Sequence, residues 1–164
     1  MSFIKVISLC IVTALVGACS LNPYFADKPE ITSVYVKKQD RKLYLLNGNE
    51  IIRSYNMGLG FAPTGHKQFE NDGKTPEGTY FIDRKNPNSK FHLSLGISYP
   101  NAQDIARARA AGKAPGGDIF IHGQENKKRP KSQDWTAGCI AVTDREIEEI
   151  YDLVPVGTPI FIKP

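Results

Sequence analysis

Three short runs of β-branched and aromatic residues follow one another between Ile31 and Tyr55, and they constrain the architecture more than any other stretch of the chain. They are Ile31, Val34 and Val36, then Leu43 to Leu46, then Ile51, Ile52 and Tyr55, separated by Gln39-Asp40 and Asn47-Gly48. Runs of this length and composition read as strands, and both residues of an Asn-Gly pair tolerate the positive φ that a tight hairpin turn requires. The segment therefore predicts an antiparallel meander.

Five glycines and two prolines between Gly58 and Gly78 then predict a long loop feeding a strand over Thr79–Ile82. Loops of that length in a compact domain are commonly functional. A further strand pair is expected over Phe91–Leu95 and Ile97–Tyr99. Asn101 is placed to cap a helix over Ala102–Ala111, with Asp104 in its first turn and Gly112 as its stop. After Ala114-Pro115-Gly116-Gly117, the run Asp118–Ile121 predicts a strand that delivers His122, and Cys139–Val142 predicts another. Thr143-Asp144-Arg145-Glu146 has capping-box spacing, so a second helix should run to Leu153 before a last strand over Ile160–Ile162. The expected fold is mainly β, a mixed sheet or sandwich with a few short helices.

A chain of 164 residues has room for one such domain. Its first residues stand apart: Lys5 precedes an apolar run from Val6 to Val16, too short to span a bilayer comfortably, which reads as a secretory signal. The run ends in Val16-Gly17-Ala18-Cys19, which resembles the lipobox of bacterial lipoproteins. That resemblance implies a signal peptide over 1–18, lipidation of Cys19, a tether over 19–30 and a folded domain over 31–164. Ser20 adds an expectation of outer-membrane sorting on the periplasmic side, and a plain signal peptide cut at Ala18 is the alternative. Net charge of +4 asks for no nucleic-acid partner, and a monomer is expected.

Three cysteines occur, and with Cys10 lost in the signal and Cys19 lipidated, Cys139 is the thiol left in the exported domain. It sits in Thr136-Ala137-Gly138-Cys139-Ile140, seventeen positions after His122 in Ile119-Phe120-Ile121-His122-Gly123. Two neighbouring strands can hold both side chains at one edge of a cleft. A free cysteine titrates near 8.5 and reacts as its thiolate, so it needs the base or the depressed pKa that a histidine supplies. Gly138 leaves the thiol open to approach, and the backbone N–H groups of Gly138 and Cys139 are placed to face a developing oxyanion. These residues point to acyl transfer, with no cofactor and no metal required; no H-E-x-x-H or paired-cysteine spacing occurs.

His122-Gly123 followed by Thr136, Gly138 and Cys139 resembles the signature of the YkuD-type L,D-transpeptidases. Similarity extends to Gly58-Leu59-Gly60, to Lys74-Thr75-Pro76-Glu77-Gly78-Thr79-Tyr80, to Ser94-Leu95 with Ile97-Ser98-Tyr99-Pro100, and to Pro115-Gly116-Gly117, so it covers Ile31 to Pro164. The resemblance implies that Cys139 attacks the carbonyl of the third residue in a peptidoglycan tetrapeptide stem, expels the terminal D-alanine and holds the stem as a thioester. An amine then resolves it, giving a 3-3 crosslink or attachment to a lipoprotein. With water as acceptor the same site is an L,D-carboxypeptidase or endopeptidase, and a non-catalytic wall-binding lipoprotein is a third reading.

Two positions depart from the family pattern: Ala137 stands where a histidine is usual, and Ala141 where an arginine or asparagine is common. Gly123, Thr136, His92, Tyr99 and Trp135 are the expected substrate contacts, although Trp135 equally fits a loop anchor and His92 a strand residue near the cleft. His66, in a Gly/Pro loop, reads as structural or solvated. The basic loop Lys127-Lys128-Arg129-Pro130-Lys131 is either a wall-carboxylate contact or a solvated charge run.

Overall fold

The computed structural model describes residues 28–124 and 133–164. The segments expected to carry the signal, Cys19 lipidation and most of the tether, and the basic loop at 127–131, lie outside the described residues. The meander forms as β1 (Ser33–Lys37), β2 (Lys42–Asn47) and β3 (Glu50–Asn56), each pair antiparallel. Alternation decides its faces: Val34, Val36, Leu43 and Leu45 are fully buried, while Tyr35 pairs with Tyr44 across the strands with ring centroids 6.3 Å apart. The β2–β3 turn falls one residue later than the Asn47-Gly48 pair indicates. Asn47 still pairs with Glu50 as the end of β2, and Gly48, at φ +56°, starts the reversal.

The closing strand β8 (Pro159–Lys163) enters the middle of the sheet, parallel to β1 on one side and antiparallel to β4 (Gly78–Ser89) on the other. β4 is long enough to serve two partners: Gly78–Phe81 pair with β8, and Ile82–Ser89 pair with β5 (His92–Ile97). β6 (Phe120–His122) runs antiparallel to β5, and β7 (Ile140–Ala141) runs parallel to β6. The result is one mixed eight-stranded sheet in the order β3-β2-β1-β8-β4-β5-β6-β7. It is mainly β with two short helices, as expected. The strand pair expected over Phe91–Leu95 and Ile97–Tyr99 is instead the single strand β5. Its partner is the extended second half of β4, and Phe91 lies in the turn between them, where His92 takes φ +73°.

Both helices begin where their caps require. The Asn101 side chain accepts from the Gln103 and Asp104 N–H groups at the start of α1 (Ala102–Ala110), and Thr143 with Glu146 closes a capping box on α2 (Asp144–Leu153). Such caps contribute about 1 kcal/mol each. α2 turns Ile147 and Ile150, both fully buried, toward the sheet where it packs on β5 and β6. The core beneath, with Leu95, Ile121, Ile140 and Ile160 wholly enclosed, fixes β6 and β7 side by side. That adjacency brings His122 and Cys139 into one neighbourhood.

Candidate active site

Cys139 lies one residue before β7, at the end of a turn that Thr136 organises. The Gly138 N–H donates to Thr136 Oγ1 at 3.1 Å, and that hydroxyl donates to the Cys139 carbonyl at 2.7 Å. The turn needs its glycine: Gly138 has φ +137°, and a Cβ there would stand 2.7 Å from the Lys74 carbonyl oxygen. Outside the turn, the strip from Gly58 to Phe61 docks along it. Thr136 N–H donates to the Leu59 carbonyl, Phe61 N–H donates to the Thr136 carbonyl, and Gly58 exchanges two hydrogen bonds with Ala141. Gly60 permits this approach, since a Cβ at that position would lie 2.1 Å from the Gly73 carbonyl oxygen.

The expectation that Gly138 and Cys139 both offer N–H groups to an oxyanion is corrected in one half. The Gly138 N–H is already taken by Thr136, whereas the Cys139 N–H has no partner among the described residues. The Cys139 sulfur accepts from the Phe120 N–H at 3.4 Å and donates to the Asp118 carbonyl at 3.5 Å. Burial pushes this thiol above its ordinary range; the Phe120 N–H works against that, the exposed Asp118 carboxylate adds to it, and Lys67 opposes it.

His122 ends β6 and pairs in register with Ala141 of β7. Its ring is buried at 3% exposure. It stacks on Phe91 with centroids 4.5 Å apart and planes 25° apart, and meets Trp135 edge to face at 5.7 Å. Nδ1 lies 2.5 Å from the Gly123 carbonyl, which accepts only. The proton of the neutral ring is therefore assigned to Nδ1, leaving the Nε2 lone pair as its basic atom. Burial holds the imidazole below its ordinary range, and the bond to Gly123 offsets this in part. Both groups are thus uncharged in the resting protein near neutral pH.

Parallel register places Cys139 beside Phe120, and Phe120 and His122, two residues apart on one strand, face the same side. The strand rise separates the two positions by about 7 Å along the sheet. No hydrogen bond joins them here: the thiol turns to Asp118 and Phe120, and the imidazole to Gly123. Resting catalytic pairs are often loosely engaged and tighten once substrate is bound.

A groove of about 240 Å³ opens over the sulfur, with Lys67, Glu70 and Asn71 on one wall and Gly116 to Ile119 on the other, and with exposed Ala137 at its edge. The first wall is built by the long loop and is internally tied. Asp72 accepts from the Gln68, Phe69 and Lys74 N–H groups and from Lys67 Nζ, and these bonds hold its carboxyl below the usual range against the opposing effect of burial. Buried Lys38, one residue past β1, donates to the Gly65 and Thr75 carbonyls and to Glu77 Oε1, tying the middle of the loop to its end. A larger groove, about 750 Å³, lies by α1 and the start of β4, where His66 and Arg107 approach buried Asp104. Its lining includes no cysteine, whereas the smaller groove holds the thiol, so acyl chemistry through Cys139 belongs to the smaller one. Among the described residues no His, Cys, Asp and Glu side chains gather into a metal-binding group.

The other expected contacts are placed differently. Gly123 is buried under Phe91 and Asp144, so its carbonyl orients His122 and no surface is left for a ligand. Tyr99 donates to the Pro115 carbonyl at 3.0 Å and packs on Tyr80 in the core. His92 Nε2 pairs with Glu148 Oε1 of α2 at 2.7 Å, on the helix side of the sheet end. Thr136 is buried and shapes the turn, and Trp135 meets the imidazole. His66 keeps a structural position, its Nδ1 accepting from the Glu77 N–H. Phe91, Asp118 and Lys67 went unnoticed in the sequence; only the glycine- and proline-rich character of the loops around the last two signalled a cleft.

A thiol on a glycine turn, its N–H without a partner among the described residues, and a neutral imidazole on the adjacent strand of a mixed sheet define a cysteine–histidine arrangement suited to acyl chemistry. The family model of the YkuD L,D-transpeptidase catalytic domain matches residues 31–162, and the chain belongs to that family, whose members are cysteine enzymes that modify peptidoglycan. Over 141 residues it is 28% identical to YafK of Escherichia coli K12, an L,D-transpeptidase by name, matching 83% of this chain and 51% of YafK. The crystal structure of the helical cell shape determining protein Pgp2 from Campylobacter jejuni superposes with a TM-score of 0.65 at 26% identity, over 81% of this chain and 47% of Pgp2. Bd1075 of Bdellovibrio bacteriovorus gives 0.58 at 28% identity, over 82% of this chain and 48% of its own. The chain spans about half the length of the curated relatives it matches.

Proposed function

We propose that this protein is a peptidoglycan L,D-transpeptidase in which Cys139 takes up a tetrapeptide stem as a thioester and passes it to an amine. The observation that carries the reading is the half-buried Cys139 sulfur lining an open groove, with no partner for its own N–H among the described residues and the uncharged His122 on the same sheet face. A substrate carbonyl entering the groove displaces the thiol from the Asp118 carbonyl, and His122 Nε2 takes the sulfur proton as the thiolate attacks. The Cys139 N–H then donates to the oxyanion, the kind of interaction whose loss elsewhere costs about 3 kcal/mol of transition-state stabilisation. Collapse breaks the bond to D-alanine, whose amine receives the proton from His122. An incoming amine reverses the sequence: it attacks the thioester, His122 takes its proton, and the sulfur leaves as the nucleophile for the next cycle.

The same reading takes the chain as an exported lipoprotein, anchored through Cys19 on the periplasmic side of the outer membrane and acting on stem peptides as a monomer. The test is incubation of the purified protein with disaccharide tetrapeptides, comparing wild type with Cys139→Ser by mass spectrometry. Release of D-alanine with dimeric products supports transfer. Release with monomeric tripeptides alone assigns water as the acceptor, and no release from wild type overturns the reading.

A further inference from the structure

Among the described residues, the one polar tie of the His122 ring is Nδ1 to the Gly123 carbonyl, made by the very next residue in the chain. A ring tied at one atom on a three-residue strand can still turn about its Cβ–Cγ bond and admit water. Two aromatic side chains from elsewhere remove that freedom. Phe91, from the β4–β5 turn, covers one face at 4.5 Å, and Trp135 closes from the side while also meeting Phe91 at 5.6 Å. Phe91 is itself fixed in place: its N–H donates to Ser89 Oγ, and its carbonyl lies so close to Gly123 that a Cβ there would approach it to 2.9 Å. Trp135 is bounded by Asp134, held by Arg41, and by Thr136, which organises the nucleophile turn.

We infer that Phe91 and Trp135 are positioning residues for His122, two faces of an aromatic clamp that holds the imidazole in one orientation and keeps water from it. The inference rests on His122 acting as the base. Because Trp135 stands directly beside Thr136, the clamp also couples the setting of the imidazole to the turn that presents Cys139. The surroundings add little charge. β5 presents Ser94 opposite His122 and β7 presents Ala141, neither of which titrates near neutrality. Asp144 lies beyond Gly123, accepting the Gln124 N–H, and the His92–Glu148 pair follows Phe91 on the helix side. Exclusion of water by the two rings is therefore the clamp's main electrostatic effect.

The experiment follows the imidazole resonances of the full chain by NMR from acid to neutral pH, with His122→Gln assigning the signal, alongside kinetics of D-alanine release. Wild-type His122 is expected to titrate below the ordinary imidazole range. In Trp135→Leu it should titrate higher, and kcat should fall on the order of tenfold with KM nearly unchanged, as for a misaligned base. Trp135→Phe, which restores an aromatic wall, should recover both. Phe91→Leu carries the same test from the other face. A wild-type His122 that titrates in the ordinary range, or a folded Trp135→Leu in which its titration is unmoved, overturns the inference. A protein that releases no D-alanine but shows the shifted titration keeps the clamp and sinks only the proposed reaction.

Discussion

Asp134 receives the Arg41 guanidinium along both carboxylate oxygens, Nε to Oδ1 at 3.0 Å and Nη2 to Oδ2 at 2.8 Å, across 93 residues of sequence. The same Oδ1 accepts the Leu59 N–H at 3.0 Å, so one half-buried carboxylate joins the first hairpin, the glycine strip and the segment leading into the nucleophile turn. Arg41 itself takes φ +52° and also donates to the Lys38 carbonyl. Arg41→Ala should therefore lower stability by about 2 kcal/mol, because it withdraws a charge-assisted partner from a carboxylate that stays largely covered. Arg41→Lys should recover only part of this, since an ammonium lacks the planar fork. Urea unfolding of the three proteins checks both expectations; equal midpoints would show the pair to be idle.

Gly138 stands where neither backbone nor space admits a side chain. Gly138→Ala would meet the Lys74 carbonyl at 2.7 Å in a conformation, φ +137°, that alanine avoids. Strain of this kind costs about 1–3 kcal/mol, and relief would come by rotating the turn that carries the Cys139 N–H. Turnover should fall by at least about a hundredfold, the scale of losing one oxyanion donor. Alkylation of the Cys139 thiol should persist, which separates a misplaced amide from a lost nucleophile. Retained turnover in the folded variant would remove that amide from the mechanism.

Linkage of the two uncharged groups to folding sets a pH window. Folding lowers His122 from 6.5, so below about that pH the unfolded chain binds more protons and stability declines as pH falls. Folding raises Cys139 from 9.0, so above about that pH the folded chain retains the proton longer and stability declines as pH rises. The contribution of the pair is fully present between the two. His122→Gln should flatten the acid side of a stability profile measured by denaturant unfolding, and Cys139→Ala the alkaline side. The same burial makes iodoacetamide alkylation of resting Cys139 slow at neutral pH and faster only above the ordinary thiol range. An alkylation profile centred below that range would mean that the thiol is activated without substrate.

The meander, the two helices and the residues of the chemistry were legible because each rests on local rules. Alternation placed Val34, Val36, Leu43 and Leu45 in the core, and Asn101 and Thr143 announced helix starts through oxygens that accept from N–H groups two or three residues on. Cys139 and His122 stood out by residue type and by the small residues around the thiol. The substrate contacts were less legible. Tyr99, His92 and Gly123 fall on or beside the expected strands of the site, but strand faces and the β4–β5 register send them to the core, to α2 and beneath Phe91.

Sequence alone determined the presence of a mainly β domain, its helix caps and a cysteine–histidine pair set on two strand ends, since short-range backbone preferences and side-chain chemistry are written residue by residue. Tertiary structure alone decided that β8 enters between β1 and β4, that the strip from Gly58 to Phe61 docks on Thr136, and that Phe91 and Trp135 close on His122. Those outcomes depend on contacts between segments far apart in the chain. Packing of the whole sheet selects them, and no local pattern specifies them.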